Sequence, residues 1–486
     1  MDYLFGEWLP EAPDYQNPGL VECKNVYPSG SRYSPFLGAT ATSADVGATV
    51  FGAARFDRTD GTRVIVCGTA ADLHVIVGGT VYDSSLAVTL SADDVWRFEQ
   101  FGSAIFATAK STGFYKLADI DSDTTFSSVA SRPKADAMAR VGDFLMTGNI
   151  EDTDSTDQPF RIRWSPFNNP DGTWNTDIAT QSGYYDMASR YGPVTGVSGG
   201  QVGIVLQKYG ISRIRHVGGP AVFDKEIIDE ERGCVSPGSV VRMGDYTYFC
   251  AYDGFCRTAG EVVEVISAGR VWDWFRDNSD LGYIGRVQGA LDWPNRCVIW
   301  NYYGTGMTEY TGQMIYNWEQ NRWSHSEITN DWMVESTQAG LTLEEVSALY
   351  PDLDAMTTSL DSSVWTGRGR MLSCFVSGVF SDLNAGALAA TFETGDFQMQ
   401  GRRNTFVSEV TPLVENSDAN TQIAIGTRDT PGGTVTYTSD VSEGPHGFCG
   451  VNADGKYTRV RMKIPASASW DKASGFQVEA IPSGRG

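Results

Sequence analysis

The sequence predicts a mainly β protein: a β-propeller-like repeat body, a C-terminal β-sandwich domain and a short helical insertion between them. Three features carry this reading. The composition, with 53 Gly, 13 Trp, 21 Tyr and 23 Phe among 486 residues, suits short strands joined by many turns. One hairpin unit returns along the first two thirds of the chain. The last part then breaks into strands with period-2 alternation.

The repeat begins after Thr49. Each unit is an apolar strand, a turn carrying Gly or Asp, and a second apolar strand: AARFDRTDGTRVIVCG (Ala53 to Gly68), FEQFGSAIFATAKSTGFY (Phe98 to Tyr115), MARVGDFLMTG (Met138 to Gly148), VTGVSGGQVGIVLQKYG (Val194 to Gly210), VVRMGDYTYFCAYDGFC (Val240 to Cys256) and QGALDWPNRCVIWNYYG (Gln288 to Gly304). The turns at Gly61, Gly102, Gly142, Gly200, Gly244 and Pro294 lie 41, 40, 58, 44 and 50 residues apart. A single hairpin cannot cover both of its faces, and an irregular period of about 40 to 50 residues is what radial repeats give. Meandering sheets arranged as two or three sandwiches are the other reading of the same pattern. A further hairpin, TGQMIYNWEQNRWSHSEI (Thr311 to Ile328) with Trp318 and Trp323, is a candidate for closing the ring.

The pattern then breaks. LTLEEVSALYPDLDAM (Leu341 to Met356) predicts a helix, with Thr342 as N-cap, Glu344 and Glu345 in the first turn and Pro351 as its stop. GRVWDWFRDN (Gly269 to Asn278) predicts a second, shorter one. From about Thr391 the text is β again, and in KYTRVRMKIP the residues Tyr457, Arg459, Arg461 and Lys463 alternate with Val460, Met462 and Ile464. That basic face reads as solvent-exposed, or as a contact for an acidic partner. The expected organisation is an extended N-terminal arm over 1–48, the propeller-like body over 49–328, a helix-containing linker over 329–385 and the sandwich over 386–486. Pro10, Pro13, Pro18, Pro28 and Pro35 keep the arm out of helix and central strand.

Charge narrows the function classes. Lys plus Arg number 37 against 60 Asp plus Glu, a formal charge of -23. Such a surface repels nucleic acid at long range, which disfavours tight DNA binding but suits a wall along which DNA must slide. The 8 cysteines (Cys23, Cys67, Cys234, Cys250, Cys256, Cys297, Cys374, Cys449) show no two-residue spacing, which argues against a zinc knuckle or redox motif and predicts reduced core thiols. No signal-peptide pattern and no apolar run of about 18 residues is present, so synthesis in the cytoplasm and a soluble product are expected.

No catalytic set emerges. His74, His216, His325 and His446 each stand alone, and His74, in the strand LHVIV, reads as structural. DIDSD (Asp119 to Asp123) and EDTDSTD (Glu151 to Asp157) start like calcium loops but lack the glycine and glutamate that such loops require, and read as solvated turns. FNNPDGTW (Phe167 to Trp174) approaches an aspartate box but carries Pro170 where the aspartate belongs. VSGGQVG (Val197 to Gly203) joins two strands, whereas a phosphate-cradling loop opens a helix. The chain is therefore expected to be no enzyme and to need no metal or cofactor.

Three runs carry a family resemblance: Tyr209 to Gly260 (YGISRIRHVGGPAVFDKEIIDEERGCVSPGSVVRMGDYTYFCAYDGFCRTAG), Ile315 to Trp323 (IYNWEQNRW) and Lys456 to Ala480 (KYTRVRMKIPASASWDKASGFQVEA). With TLEEVSALYPDLDAM, FETGDFQM and the opening Gly6 to Phe36, they resemble the tail nozzle or tail hub proteins of short-tailed bacteriophages, also called packaged-DNA stabilisation proteins. The resemblance spans most of Ser198 to the end, and its specificity lies in the order of the pieces. It implies a virion structural protein, made in the host cytoplasm and housed in the tail. It further implies a hexameric ring that prolongs the DNA channel below the portal and adaptor proteins, retains packaged DNA, and carries fibres or a needle. Within that expectation Arg161, Arg163, Arg213, Arg215, Arg459, Arg461 and Lys463 are candidate subunit or partner contacts. The alternatives are a virion-associated depolymerase or glycosidase on a propeller, and a receptor-binding module.

Overall fold

A computed structural model of the chain describes residues 2–338, 369–398, 404–416 and 420–483. Six four-stranded antiparallel sheets, together with the first four strands of a ten-stranded sheet, make seven blades. They span 53–83, 97–128, 134–186, 194–229, 241–265, 288–326 and 332–382. The first strand of every blade contributes to the wall of one axial cavity, so the blades stand around a common axis.

The second strand of each blade accounts for the composition. It lies inside its own sheet and between two neighbouring blades, so both faces are covered and the sequence runs apolar without alternating. RVIVCG (Arg63–Gly68), AIFATA (Ala104–Ala109) and CVIWNYY (Cys297–Tyr303) are buried along almost their whole length. Four of the cysteines, Cys67, Cys250, Cys297 and Cys374, sit in such strands, and all eight are buried free thiols. Burial pushes the Cys234 thiol up to about 11.

The recurring glycines are the turns between first and second strands. Gly61, Gly102, Gly142, Gly200 and Gly244 all have positive φ, and in the sixth blade Arg296 takes that conformation at φ 56°. Gly142 is the cleanest case: φ is 56° and an added Cβ would meet nothing within 4 Å, so conformation alone makes the demand. Its N–H donates to Gly200 O at 2.7 Å, tying blade 3 to blade 4. Gly142→Ala is expected to lower stability by about 1–2 kcal/mol, read by urea denaturation, with the fold retained.

The ring closes with an N-terminal strand. Five strands come from the first 45 residues: β1 (Asp2–Leu4), β2 (Leu20–Lys24), β3 (Val26–Ser29), β4 (Arg32–Pro35) and β5 (Thr40–Asp45). β5 is the outer strand of blade 7, paired with Val379–Asp382. The segment 1–48 is thus woven in rather than standing out as an arm. The propeller continues past 328, to Asp382. The Thr311 to Ile328 hairpin is the outer half of blade 6 and not a closing unit. The helix expected at Leu341 to Met356 lies outside the described residues. The shorter one is α1 (Trp272–Asn278), which turns Trp272 and Phe275 into the core between blades 5 and 6.

The C-terminal strands form a β-sandwich that is continuous with the propeller. β2 pairs in parallel with the outer strand of blade 6 (Arg322–Ser326) and antiparallel with Ala390–Thr394, so blade 6 runs on into one sandwich sheet. The facing sheet contains β3, β4, Lys472–Ser483, Asn404–Glu415 and Cys449–Gly455, with β1 beside Lys472–Ser483. One hydrophobic cluster reaches from Phe255, Phe275, Trp300 and Trp323 of the propeller side to Phe392, Val460 and Phe476 of the sandwich. At its centre Phe255 stacks on Trp300 at 4.4 Å, and Trp300 lies 5.8 Å from Trp323.

Candidate contact surfaces and the axial channel

The seven basic residues singled out by the sequence fall into three environments. Arg161, on the third strand of blade 3, holds Asp186 with two bonds (Nε to Oδ1 2.7 Å, Nη2 to Oδ2 3.0 Å) and Asp152 Oδ2 at 3.0 Å. The Asp186 bond raises its pKa further. Arg163, two residues on, is buried against Asp152 and the carbonyl of Trp174. Asp152 belongs to the EDTDSTD run. It is a buried anchor for both arginines rather than a solvated turn residue, because the strand pair delivers two guanidinium groups to it. In DIDSD, Asp121 instead binds Thr59 N at 2.8 Å and Oγ1 at 3.0 Å, joining the first turn of blade 1 to blade 2.

Arg213 and Arg215 lie on the third strand of blade 4, directly opposite Glu226 and Asp224 of its outer strand. Both form cross-strand ion pairs with these partners, and Arg215 keeps 63% of its side chain exposed. These two remain at the rim of the ring.

Arg459, Arg461 and Lys463 do not present a solvent-exposed basic face. Arg459 is buried and binds Asp396 Oδ1 at 2.7 Å, Asp14 Oδ2 at 2.7 Å and Glu393 Oε1 at 3.0 Å. Arg428 joins the network through Asp396 and Asp14. Arg461 stacks over Tyr437 at 4.0 Å and, with Lys463, faces Asp440. Strand alternation was legible, but the carboxylates that cover this face come from distant segments, Asp14 above all.

The joint between propeller and sandwich is built on His325 and Glu22. Asn25 N donates to His325 O at 2.7 Å, and the imidazole, 2% exposed, lies against Trp8 and Trp274 with Nε2 on Glu22. Burial pushes the Glu22 carboxyl up, but the charge and hydrogen bond of His325 outweigh it and bring the pKa below its ordinary value. His74, in blade 1, is also structural, with Nδ1 at 2.7 Å from Asp83. Between blades 1 and 7, Arg63 Nη1 reaches Asp382 Oδ1 at 3.0 Å and Thr337 O at 2.7 Å, locking the closure next to β5.

The axial cavity measures about 390 Å³. Small residues (Ala53, Ala54, Gly196, Gly289) and larger apolar ones (Met138, Val197, Leu291, Trp332) line it, with Arg55, Arg97, Arg242 and Glu335 as its charged groups. Arg55 is paired with Asp57 and Glu335. Arg97 donates Nε to Asp136 O at 2.9 Å, and its Nη2 is buried with no hydrogen-bond partner among the described residues. Arg242 donates to Gly244 O at 3.0 Å and Val202 O at 3.2 Å. No local pattern marks these residues, since they come together only when seven first strands converge.

Two carboxyls at the seam of blades 2 and 3 are held above their ordinary range by burial: Glu99 at about 7 and Asp136 at about 6. The Asp94 charge raises Asp136 further. A raised folded-state pKa means that the folded chain binds the proton more tightly than the unfolded one. The contribution is present below about pH 4 and is lost as pH rises through 6 to 7. Glu99 is half-buried, so its share is discounted for screening. Glu99→Gln is expected to gain about 1–2 kcal/mol over the parent at pH 8 and nothing at pH 4, measured by denaturant titration at both pH values.

Among the described residues no group of three His, Cys, Asp or Glu is placed to hold a metal ion, and no helix is long and apolar enough to cross a membrane.

No protein-family model matches the chain, and no curated protein matches it. Solved structures similar to it include YCF48 bound to D1 peptide, at 10% identity and a TM-score of 0.35, covering 62% of this chain and 86% of that one. BamB from Moraxella catarrhalis is similar at 12% identity and a TM-score of 0.34, covering 74% and 97%. A chain of the mitotic checkpoint complex is similar at 8% identity and 0.36, covering 64% and 93%. The strand order and the axial convergence of first strands make the chain a mainly β protein with a β-propeller body.

Proposed function

We propose that the chain is a structural protein of a bacteriophage tail, a nozzle or hub subunit. Copies of it form a ring, hexameric as the resemblance implies, that extends the DNA channel below portal and adaptor, retains packaged DNA and anchors fibres or a needle. The observation that carries this reading is the fusion of propeller and sandwich. A ten-stranded sheet and one hydrophobic cluster run through both, so the described residues of propeller and sandwich are joined as one block, as a wall element requires. The three long runs that resemble tail proteins fall on blades 4 and 5, the outer hairpin of blade 6 and two sandwich strands, and all of these except blade 4 contribute side chains to that cluster. The formal charge of -23 suits a surface along which DNA slides.

In this reading the duplex passes through the hole between copies and not through the propeller. A cavity of about 390 Å³ has no room for a helix whose major groove alone is about 12 Å wide. Mass photometry of the purified chain, alone and after mixing with tail extract, tests the proposal. Closed multimers, or incorporation into tails, are expected. A chain that stays monomeric at micromolar concentration and joins no tail overturns it.

A further inference from the structure

One sandwich sheet carries an outward face that water alone does not suit. Along Lys472–Ser483 the side chains alternate: Phe476 and Val478 turn into the core shared with the propeller, while Gln477, Glu479 and Ile481 turn away from it. Strand register extends the outward face to both neighbours. Leu4 and Leu413 stand opposite Gly475, Asp2 and Thr411 opposite Gln477, Glu409 opposite Glu479, and Phe406 opposite Ile481. Outward positions of a sandwich are ordinarily polar. Here Leu4 and Leu413 hold one end and Phe406 and Ile481 the other, and none of the four packs into the core. Leu4 is 67% and Ile481 62% exposed. Single exposed apolar residues need no explanation, but two pairs on one face mark a contact surface.

Between those ends the face is acidic and lacks counter-charge. The strands of this sheet carry Asp2, Glu409, Glu415, Asp454 and Glu479, and their only described cations are Arg32 and Lys472. Arg32 pairs with Glu415, and Lys472 donates to Ser29 Oγ at 2.9 Å, which leaves Asp2, Glu409, Asp454 and Glu479 without an ion pair among the described residues. Glu409 and Glu479 lie directly across from each other, and like charges in that position repel. A partner that brings cations to them removes the repulsion and covers the apolar ends at the same time.

The two apolar levels are separated by the strand from Gly475 to Ile481, about 20 Å. A helix spans that distance in about 14 residues. Its backbone bonds are made internally, so it can lie on the face of a sheet, where an extended segment would leave its own N–H and C=O groups unpaired. We propose that this face docks an amphipathic helix of another protein. Lys or Arg at the middle of that helix meets Asp2, Glu409 and Glu479, and apolar side chains at its ends meet Leu4 with Leu413 and Phe406 with Ile481. A second copy is the wrong occupant: its formal charge is -23, and α1 has Trp272 and Phe275 committed to the core. The inference does not rest on the assembly reading, because the face belongs to a single copy.

The test uses a fluorescein-labelled helical peptide of about 16 residues on an alanine and glutamine base, with Leu in its first and last turns and Lys on the same face between them. It is titrated with the full chain at about 0.15 M salt and followed by fluorescence anisotropy. Saturable binding is expected. Glu409→Gln with Glu479→Gln is expected to weaken it about five- to thirtyfold without lowering the melting temperature, since the substitutions remove a repulsion. Leu4→Gln with Ile481→Gln is expected to weaken it as well. Asp224→Asn with Glu226→Gln on blade 4 changes the net charge equally and is expected to leave binding unchanged. A photo-cross-linker at the middle of the peptide is expected to mark 404–415 or 472–483 of the parent chain, a readout that holds even if a variant does not fold. The proposal is overturned by absence of saturable binding, by equal binding to the chain lacking the Glu409 and Glu479 charges, by an equal loss from the blade 4 substitutions, or by cross-links only elsewhere. Self-association of the parent chain in sedimentation, removed by Leu4→Gln with Ile481→Gln, also overturns it and assigns the face to a second copy.

Discussion

Removal of residues 1–48 is expected to abolish folding of the rest of the chain, the largest effect any local change here should have. Three losses coincide. Blade 7 loses its outer strand β5, the sandwich loses β1, β3 and β4 from one sheet, and the sheet that joins blade 6 to the sandwich loses its link β2. Phe5, Trp8, Leu20, Cys23, Val26, Tyr27, Tyr33 and Phe36 are all buried, so the partners they cover would face water. Burial of one large apolar side chain stabilises by about 1.5–3 kcal/mol. Together these groups match or exceed the whole net stability of a typical domain, about 5–15 kcal/mol. The expected result is an insoluble chain, or one with no cooperative thermal transition. A soluble product melting within a few degrees of the parent would show that the strands are accessory.

Arg459→Met is expected to cost about 3 kcal/mol, read by urea denaturation at pH 7. The Asp396 side chain is 1% exposed, and with Glu393 and Asp14 it takes counter-charge from this guanidinium. Removing one member of a buried ionic network leaves the others desolvated and unpaired, which typically costs about 3–5 kcal/mol. Arg428 remains on Asp396 and Asp14 and keeps the loss towards the lower end. Adding Asp396→Asn should recover part of it, whereas an unchanged midpoint in the single variant would mean that the face is solvated after all.

Much of the propeller was legible from turn chemistry. The glycine at the first turn of each of the first five blades is required by its backbone conformation, so it recurs in the sequence wherever that turn recurs. The seventh blade was hidden for a physical reason. Its first and second strands, Trp332–Thr337 and Arg370–Val376, are separated by a long insertion, and its fourth strand comes from 40–45. No local pattern reports a partner some 340 residues away. The prolines of the opening segment were expected to keep it out of helix and central strand: Pro28 lies in β3, an edge strand where a missing N–H is tolerated, whereas Pro35 ends β4, a strand with a neighbour on each side.

The site was less legible than the fold. Pairs such as Arg161 with Arg163 stood out as cations, but what decides their role is Asp152, buried nearby by a turn that the sequence presents as a hydrophilic run. Arg97 showed nothing, since a lone arginine at a strand start gains meaning only when seven strands surround it.

The most direct test of the account is a cryo-electron microscopy reconstruction of the assembled chain at a resolution that separates strands. It should show several copies around a hole of duplex width. Each copy should be a seven-bladed propeller closed by 40–45 and joined through β2 to its sandwich without a break. A solitary propeller with no opening beyond its own axial cavity, or a sandwich that moves independently of blade 6, would contradict it.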